Sequence, residues 1–219
     1  MSLKNAVAWL LCRLGFSAMG LTVLGLIFAL VTGCLIVCGH FGWAAAALIA
    51  SGLCDLFDGA VARLTGTDSA FGGILDSSLD RYGDAAVLGA AAIYYDRWNG
   101  TLSVLALVAL AGSFAVSYVR ARAECEINDC RVGFWERGER LALIALALIL
   151  NNLAAALWLL AVGTHWTVFQ RLAFAKHQTQ GRSVEKVPFF LRTSPRNSWL
   201  YFLKISLLIL VLFFLRSKN

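Results

Sequence analysis

Apolar runs separated by short polar breaks organise this chain from one end to the other. A helix that crosses a bilayer needs about 20 mostly apolar residues. Runs on that scale stand at Leu21–Val37, Trp43–Arg63, Gly73–Tyr95 and Thr101–Arg122, then from Glu139 to Asn151–Asn152, and from there to Phe169. A shorter stretch, Leu3–Leu14, precedes them and is amphipathic. Trp9, Leu10 and Leu14 share one face there, with Lys4 and Arg13 near the ends, which predicts a helix lying in the membrane interface. A final run, Trp199–Leu215, is interrupted by Lys204 yet is long enough to cross. The predicted fold is all-α: a polytopic membrane protein with a six-transmembrane-helix bundle, an N-terminal amphipathic helix and an extra C-terminal apolar helix. Residues 1–176 form the expected membrane domain, and 177–219 a basic segment followed by the apolar helix.

Composition supports the same class. Of 219 residues, 59% are hydrophobic and 15% charged, whereas soluble domains carry about 25% charged residues. A soluble or secreted fold of this size could not hide that much apolar surface. Arg13 interrupts the early apolar run, so the N-terminus does not read as a cleaved signal. The formal charge is +6, and its placement matters more than its size. Arg63, Arg120, Arg122, Arg131, Arg137 and Arg140 fall on one set of loops, joined by Arg171, Lys176 and Arg182 after the sixth run. The opposite loops carry little beyond His40 and Arg97. Basic loops stay on the cytoplasmic side. That predicts a multi-pass protein of the cell membrane, with the ends of the second and third spans meeting at the cytoplasmic face. Aromatic residues are not interleaved with the basic ones, so no nucleic acid partner is expected. The six cysteines match no zinc pattern and no disulfide framework.

The chemistry sits where those two spans meet. Asp55 and Asp58 close the second span, and Asp76, Asp80 and Asp84 open the third. Charged groups inside membrane helices are costly and usually serve a site. Asp55 and Asp58 are three apart, and the others recur every four, so each set projects from one helix face. Two neighbouring antiparallel helices can therefore aim several carboxylates into one pocket. Such a pocket calls for a cation, and its hard oxygen donors suit magnesium, manganese or calcium. Gly59, Ala62, Gly72 and Gly73 leave room for close packing or for a ligand, and Arg63 can neutralise phosphate. Metal, phosphate and a spare carboxylate together fit phosphoryl transfer, where positioning and charge stabilisation do most of the catalysis.

These residues resemble the signature of the CDP-alcohol phosphatidyltransferase family, D-x2-D-G-x2-A-R-x8-G-x3-D-x3-D. Asp55, Asp58, Gly59, Ala62, Arg63, Gly72, Asp76 and Asp80 occupy every fixed position. The resemblance implies six transmembrane helices around a cytoplasm-facing cavity, commonly in a homodimer. It implies that Asp55, Asp58 and Asp76 hold metal and that Asp80 completes a site for two ions, with Mg2+ expected and Mn2+ possible. Asp80 is also the implied base that takes the acceptor hydroxyl's proton. The hydroxyl then attacks the phosphorus on the diacylglycerol side of CDP-diacylglycerol or a related CDP-lipid, and CMP leaves. Asp58, Gly59, Ala62, Arg63 and Gly72 are the implied CDP-lipid contacts. Where the family often has Pro-Asn before the first span, this chain has Ala18-Met19, while Thr22 remains as a further CDP-lipid contact.

A second polar group follows. Ser117, Arg120, Arg122 and Glu124 end the fourth span, Glu136, Arg137, Glu139 and Arg140 precede the fifth, and Gln170-Arg171 ends the sixth. Guanidinium forks suit bidentate binding of phosphate, and so many are more than a neutral alcohol needs. The segments resemble those of the phosphatidylinositol-phosphate synthase branch of the family. That implies a small phosphorylated polyol as acceptor, inositol 1-phosphate first and glycerol 3-phosphate second, with Ser117, Arg120, Arg137, Arg140 and Arg171 as contacts. Against this stands a plainer reading, in which the arginines pair with Glu124, Glu136 and Glu139 as ordinary basic loops. Asp68 reads as a solvated loop residue. Two rival functions remain at this level. One is a cation- or proton-coupled transporter, which also uses intramembrane carboxylates. The other is a metal-dependent membrane prenyltransferase, which would be expected to carry two separated Asp-rich motifs.

Overall fold

The computed structural model describes residues 3–180, and the Trp199–Leu215 run lies outside them. Seven helices and no strands occur among the described residues, and they fall into two compact units, one ending at Trp98 and the other beginning at Asn99.

The first unit holds α1 (Leu3–Arg13), α2 (Ala18–Val37), α3 (Phe41–Thr65) and α4 (Ala70–Asp96). Short polar residues start these helices. Ser17 Oγ accepts from the Gly20 amide at the start of α2, and Ser69 Oγ accepts from the Gly72 amide at the start of α4. α3 stops at Gly66, whose φ of 65° is the left-handed conformation that glycine adopts without strain. α2 packs on both α3 and α4, and α1 on α3. Small residues carry those contacts. Gly25 lies against Cys54 and the Ser51 carbonyl, and the Ser51 hydroxyl donates back to the Gly25 carbonyl at 2.8 Å. Gly33 lies so close to the Ala86 carbonyl that a Cβ there would stand 2.8 Å from it. Lipid supplies no hydrophobic drive between helices, and close backbone approach at small residues takes its place. The large apolar side chains of α2, among them Val23, Ile27 and Leu30, point outward instead.

α1 has the expected amphipathic layout. Ala8 is fully buried with Leu21, Ala60 and Val61, and Leu11 and Cys12 pack against that cluster. Trp9, Leu10 and Leu14 are exposed, and the Arg13 guanidinium sits 4.0 Å above the Trp9 ring.

The second unit holds α5 (Gly100–Ala123), α6 (Arg137–Ile149) and α7 (Leu153–Thr179). Asn99 caps α5 by accepting from the amides of Thr101 and Leu102. Asn151 turns the chain with a φ of 53°, and the Asn152 side chain accepts from the Ala155 amide to start α7. α7 continues to Thr179, three residues past the expected domain edge at 176.

Four described helices are long and apolar enough to cross a membrane: α2, α3, α5 and α7. The chain is a multi-pass membrane protein. α4 has the length, at 27 residues, but carries Asp76, Asp80, Arg81 and Asp84 along it. α6 has 13 residues, about 20 Å at 1.5 Å per residue, which is shorter than the hydrocarbon core.

Candidate active site

α3 and α4 each present acidic side chains at the ends joined by the Gly66–Ser69 loop. Asp55, Asp76 and Asp80 each offer a carboxylate oxygen within 4.8 Å of the others, and all three are partly exposed. Asp76 and Asp80 lie one turn apart on α4, and Asp55 reaches them from α3. Three like charges this close raise one another's energy unless a cation intervenes. Carboxylate oxygens alone, without sulfur or imidazole, fit a hard divalent ion such as Mg2+ or Mn2+.

Asp58 is placed differently. It is buried, at 7% exposure. One of its oxygens accepts from Thr22 Oγ1 at 2.9 Å, and the other accepts from the Gly59 amide at 2.5 Å. The Thr22 hydroxyl also reaches the Ala18 carbonyl at 3.1 Å. Asp58 is thus held by α2 and by its own helix, beside the group of three. Asp84, one turn deeper on α4, is buried.

A cavity of about 550 Å³ opens beside the carboxylates, within the size range of small-molecule sites. Thr22, Asp58, Gly59, Ala62, Arg63 and Gly72 line it, and Asp76 belongs both to this wall and to the acidic cluster. The first turns of α2 and α4 border it through Ala18, Met19, Phe71, Gly72 and Gly73. Helix N-termini carry partial positive charge and free amide donors, so both favour a phosphate in the space. Arg63 is exposed on the last turn of α3 and adds a full positive charge.

The second unit contains the arginines. Arg120 Nε bonds Glu124 at 2.9 Å, and its Nη1 lies 3.9 Å from Glu136. Arg140 is 3% exposed, and its Nη1 donates to the Trp135 carbonyl at 3.1 Å. Ser117, on α5, and Arg137, which opens α6, are half-buried. Arg171 is 1% exposed, with Nε donating to the Val132 carbonyl at 2.9 Å and Nη1 to the Val116 carbonyl at 2.6 Å. Two of its donors therefore tie α7 to α5 and to the loop before α6. Arg120, Arg140 and Glu136 all lie within electrostatic reach of Arg171. In the same loop Cys130 is buried, and that burial pushes its thiol pKa up, which keeps it an inert packing group.

The catalytic motif lies within a longer match. The family model for CDP-alcohol phosphatidyltransferases matches residues 16–170. The chain belongs to the CDP-alcohol phosphatidyltransferase family. It is an enzyme, and the transporter and prenyltransferase readings fall away. An archaetidylinositol phosphate synthase of Pyrococcus horikoshii is 35% identical over 172 residues, covering 78% of this chain and 89% of that protein. A phosphatidylinositol phosphate synthase of Mycobacteroides abscessus is 34% identical over 181 residues, covering 78% of this chain and 82% of that one. Among solved structures, the Mycobacterium tuberculosis phosphatidylinositol phosphate synthase with CDP-DAG bound superimposes with a TM-score of 0.71 at 29% identity, covering 79% of this chain and 93% of that one. The same enzyme in complex with manganese and citrate gives a TM-score of 0.72 at 27% identity, covering 88% of this chain and 94% of that one. The manganese in that complex agrees with an acidic cluster suited to a divalent ion.

The sequence reading missed several residues of the cavity wall. Asp68, read as merely solvated, lines it, as do Ser17, Met19, Ser69 and Phe71. The two serines were legible as helix-capping residues, and a cap at each of two helix starts beside a phosphate-binding motif is a signal that could have found them. Met19 and Phe71 carry no such mark.

Proposed function

We propose that this enzyme transfers the phosphatidyl group of CDP-diacylglycerol, or of a closely related CDP-lipid, to a hydroxyl of inositol 1-phosphate and releases CMP. The observation that carries the reading is the shared position of Asp76. It joins Asp55 and Asp80 in a three-carboxylate cluster and also forms part of the wall of a 550 Å³ cavity with the other motif residues. The relatives' names support the acceptor, since phosphatidylinositol and archaetidylinositol phosphate synthases are similar over more than three quarters of this chain.

Asp55, Asp58, Asp76 and Asp80 hold the metal in this reading, with Mg2+ the expected ion and two ions the expected number. When bound, the metal neutralises the pyrophosphate and increases the electrophilicity of its phosphorus. Thr22 fixes the Asp58 carboxylate, as its 2.9 Å hydrogen bond allows. Gly59, Ala62 and Gly72 leave space for the cytidine nucleotide, and Arg63 pairs with its phosphate. Asp80 accepts the proton of the acceptor hydroxyl. That oxygen forms a new bond to the phosphorus bearing diacylglycerol, the bond from this phosphorus to the CMP oxygen breaks, and CMP departs with the electron pair. Residues of α5, α6 and α7 are the expected contacts of the acceptor's phosphate, because guanidinium forks suit phosphate. Ser117, Arg120, Arg137 and Arg140 contact it directly. Arg171, with two donors engaged by backbone carbonyls, contributes mainly through its charge.

The same reading includes α4 and α6 among six crossings, with the basic loops and the active site at the cytoplasmic face of the cell membrane. It takes residues 1–176 as the catalytic domain, 177–219 as an appended tail, and a homodimer as the working form. Purified enzyme tests the chemistry. CMP release from CDP-diacylglycerol is measured with inositol 1-phosphate, glycerol 3-phosphate, serine and inositol in turn, each with and without Mg2+. Preference for inositol 1-phosphate and absolute dependence on metal are expected. Preference for glycerol 3-phosphate would identify a phosphatidylglycerophosphate synthase, and turnover without metal would overturn the role of the aspartates.

A further inference from the structure

The loop before α6 is seated on a single stripe of α7. Gly163, Thr167 and Arg171 recur every four residues along that helix and so share one face. Each meets a different part of the loop. A Cβ on Gly163 would overlap the Nε1 edge of the Trp135 indole, so the absence of a side chain there makes the indole's seat. Thr167 packs against Gly133, which combines a φ of +98° with no room for a Cβ beside the threonine methyl. Arg171 Nε holds the Val132 carbonyl at 2.9 Å. Trp135 is buried, at 8% exposure, and Cys130 beside this seat is fully buried. Glycine in mid-helix is disfavoured relative to alanine, and Gly163 has a packing reason to be there.

The consequence falls on Arg140. Its side chain is 3% exposed, and its Nη1 donates to the backbone carbonyl of Trp135 at 3.1 Å. Its backbone amide donates to Glu136 at 3.2 Å. The carbonyl that orients this guanidinium therefore belongs to the residue whose indole fills the gap at Gly163. We propose that Trp135, latched into the seat at Gly163, is a positioning residue that sets the Arg140 guanidinium for the acceptor's phosphate. The proposal rests on the reading of Arg140 as an acceptor contact. It adds two residues, Trp135 and Gly163, that the family's catalytic motif does not contain.

The test uses full-length enzyme and steady-state kinetics with inositol 1-phosphate and CDP-diacylglycerol varied separately. Gly163→Ala forces the indole out of its seat. The acceptor KM should rise about tenfold, the effect of misplacing one hydrogen-bonding partner of a charged group. Kcat and the CDP-diacylglycerol KM should stay within about twofold, because neither depends on the acceptor's phosphate contact. A purely structural role would instead lower the amount of active enzyme and leave both KM values alone. If Gly163→Ala does not yield monodisperse protein, Trp135→Ala removes the latch while keeping the backbone, and the same rise is expected. An unchanged acceptor KM in these variants, alongside a raised one in Arg140→Ala, overturns the latch. An unchanged acceptor KM in Arg140→Ala itself overturns the acceptor reading and the proposal with it.

Discussion

The hydrogen bond between Thr22 and Asp58 gives a sharp test of the site. Thr22 Oγ1 donates to Asp58 Oδ2 at 2.9 Å, from α2 to α3, and it does so at the wall of the cavity. Thr22→Val keeps the β-branched shape and removes only the hydroxyl. A hydrogen bond to a charged group contributes about 1.5–3 kcal/mol net. Thr22 is half-buried, so the lower part of that range applies, about 1.5–2 kcal/mol or roughly a ten- to thirtyfold change. The buried Asp58 carboxylate would keep its bond from the Gly59 amide but lose its fixed orientation toward the cavity. The expected result is a ten- to thirtyfold fall in kcat/KM for CDP-diacylglycerol, with the acceptor KM unchanged and the concentration of Mg2+ needed for half-activity raised. Thr22→Ser, which restores the donor, should recover most of the loss. A Thr22→Val enzyme within twofold of the parent in kcat/KM would show that Asp58 needs no support from α2 and would refute the argument.

Three further expectations concern other links in the structure. Asp80→Asn should lower kcat by at least about a hundredfold, the lower end for loss of a general base, while the protein still elutes as a single folded species; near-normal turnover would remove Asp80 as the base. Chelation with EDTA should abolish CMP release, and added Mg2+ or Mn2+ should restore it, whereas Zn2+ should serve poorly at a site built only of carboxylates. Gly33→Val should lower the thermal midpoint in detergent, because its Cβ would stand 2.8 Å from the Ala86 carbonyl and overpacking of this kind costs about 1–3 kcal/mol; an unchanged midpoint would mean that α2 and α4 are not tightly packed there.

The sequence by itself determined the class of protein, the helices and the residue types of the site. Apolar runs of about 20 residues broken by short polar stretches mark the helices, because that signal lies within each segment of chain. Helical periodicity likewise puts Asp55 and Asp58 on one face of α3, and Asp76 and Asp80 on one face of α4, whatever else the chain does. Only the tertiary structure decided how those faces divide the work. Asp55 joins Asp76 and Asp80, while Asp58 turns to Thr22 and the Gly59 amide, a division that helical spacing alone does not show. The same holds for Asp68, Met19 and Phe71, which reach the cavity wall because loop and helix ends converge on it. It holds too for Arg171, whose position among other arginines suggested a ligand contact but whose burial engages two of its donors with the Val116 and Val132 carbonyls. Spacing along a helix is a local property written in the chain. Which side chain meets which across two helices depends on the distance and rotation between them, and those are fixed by contacts far apart in sequence.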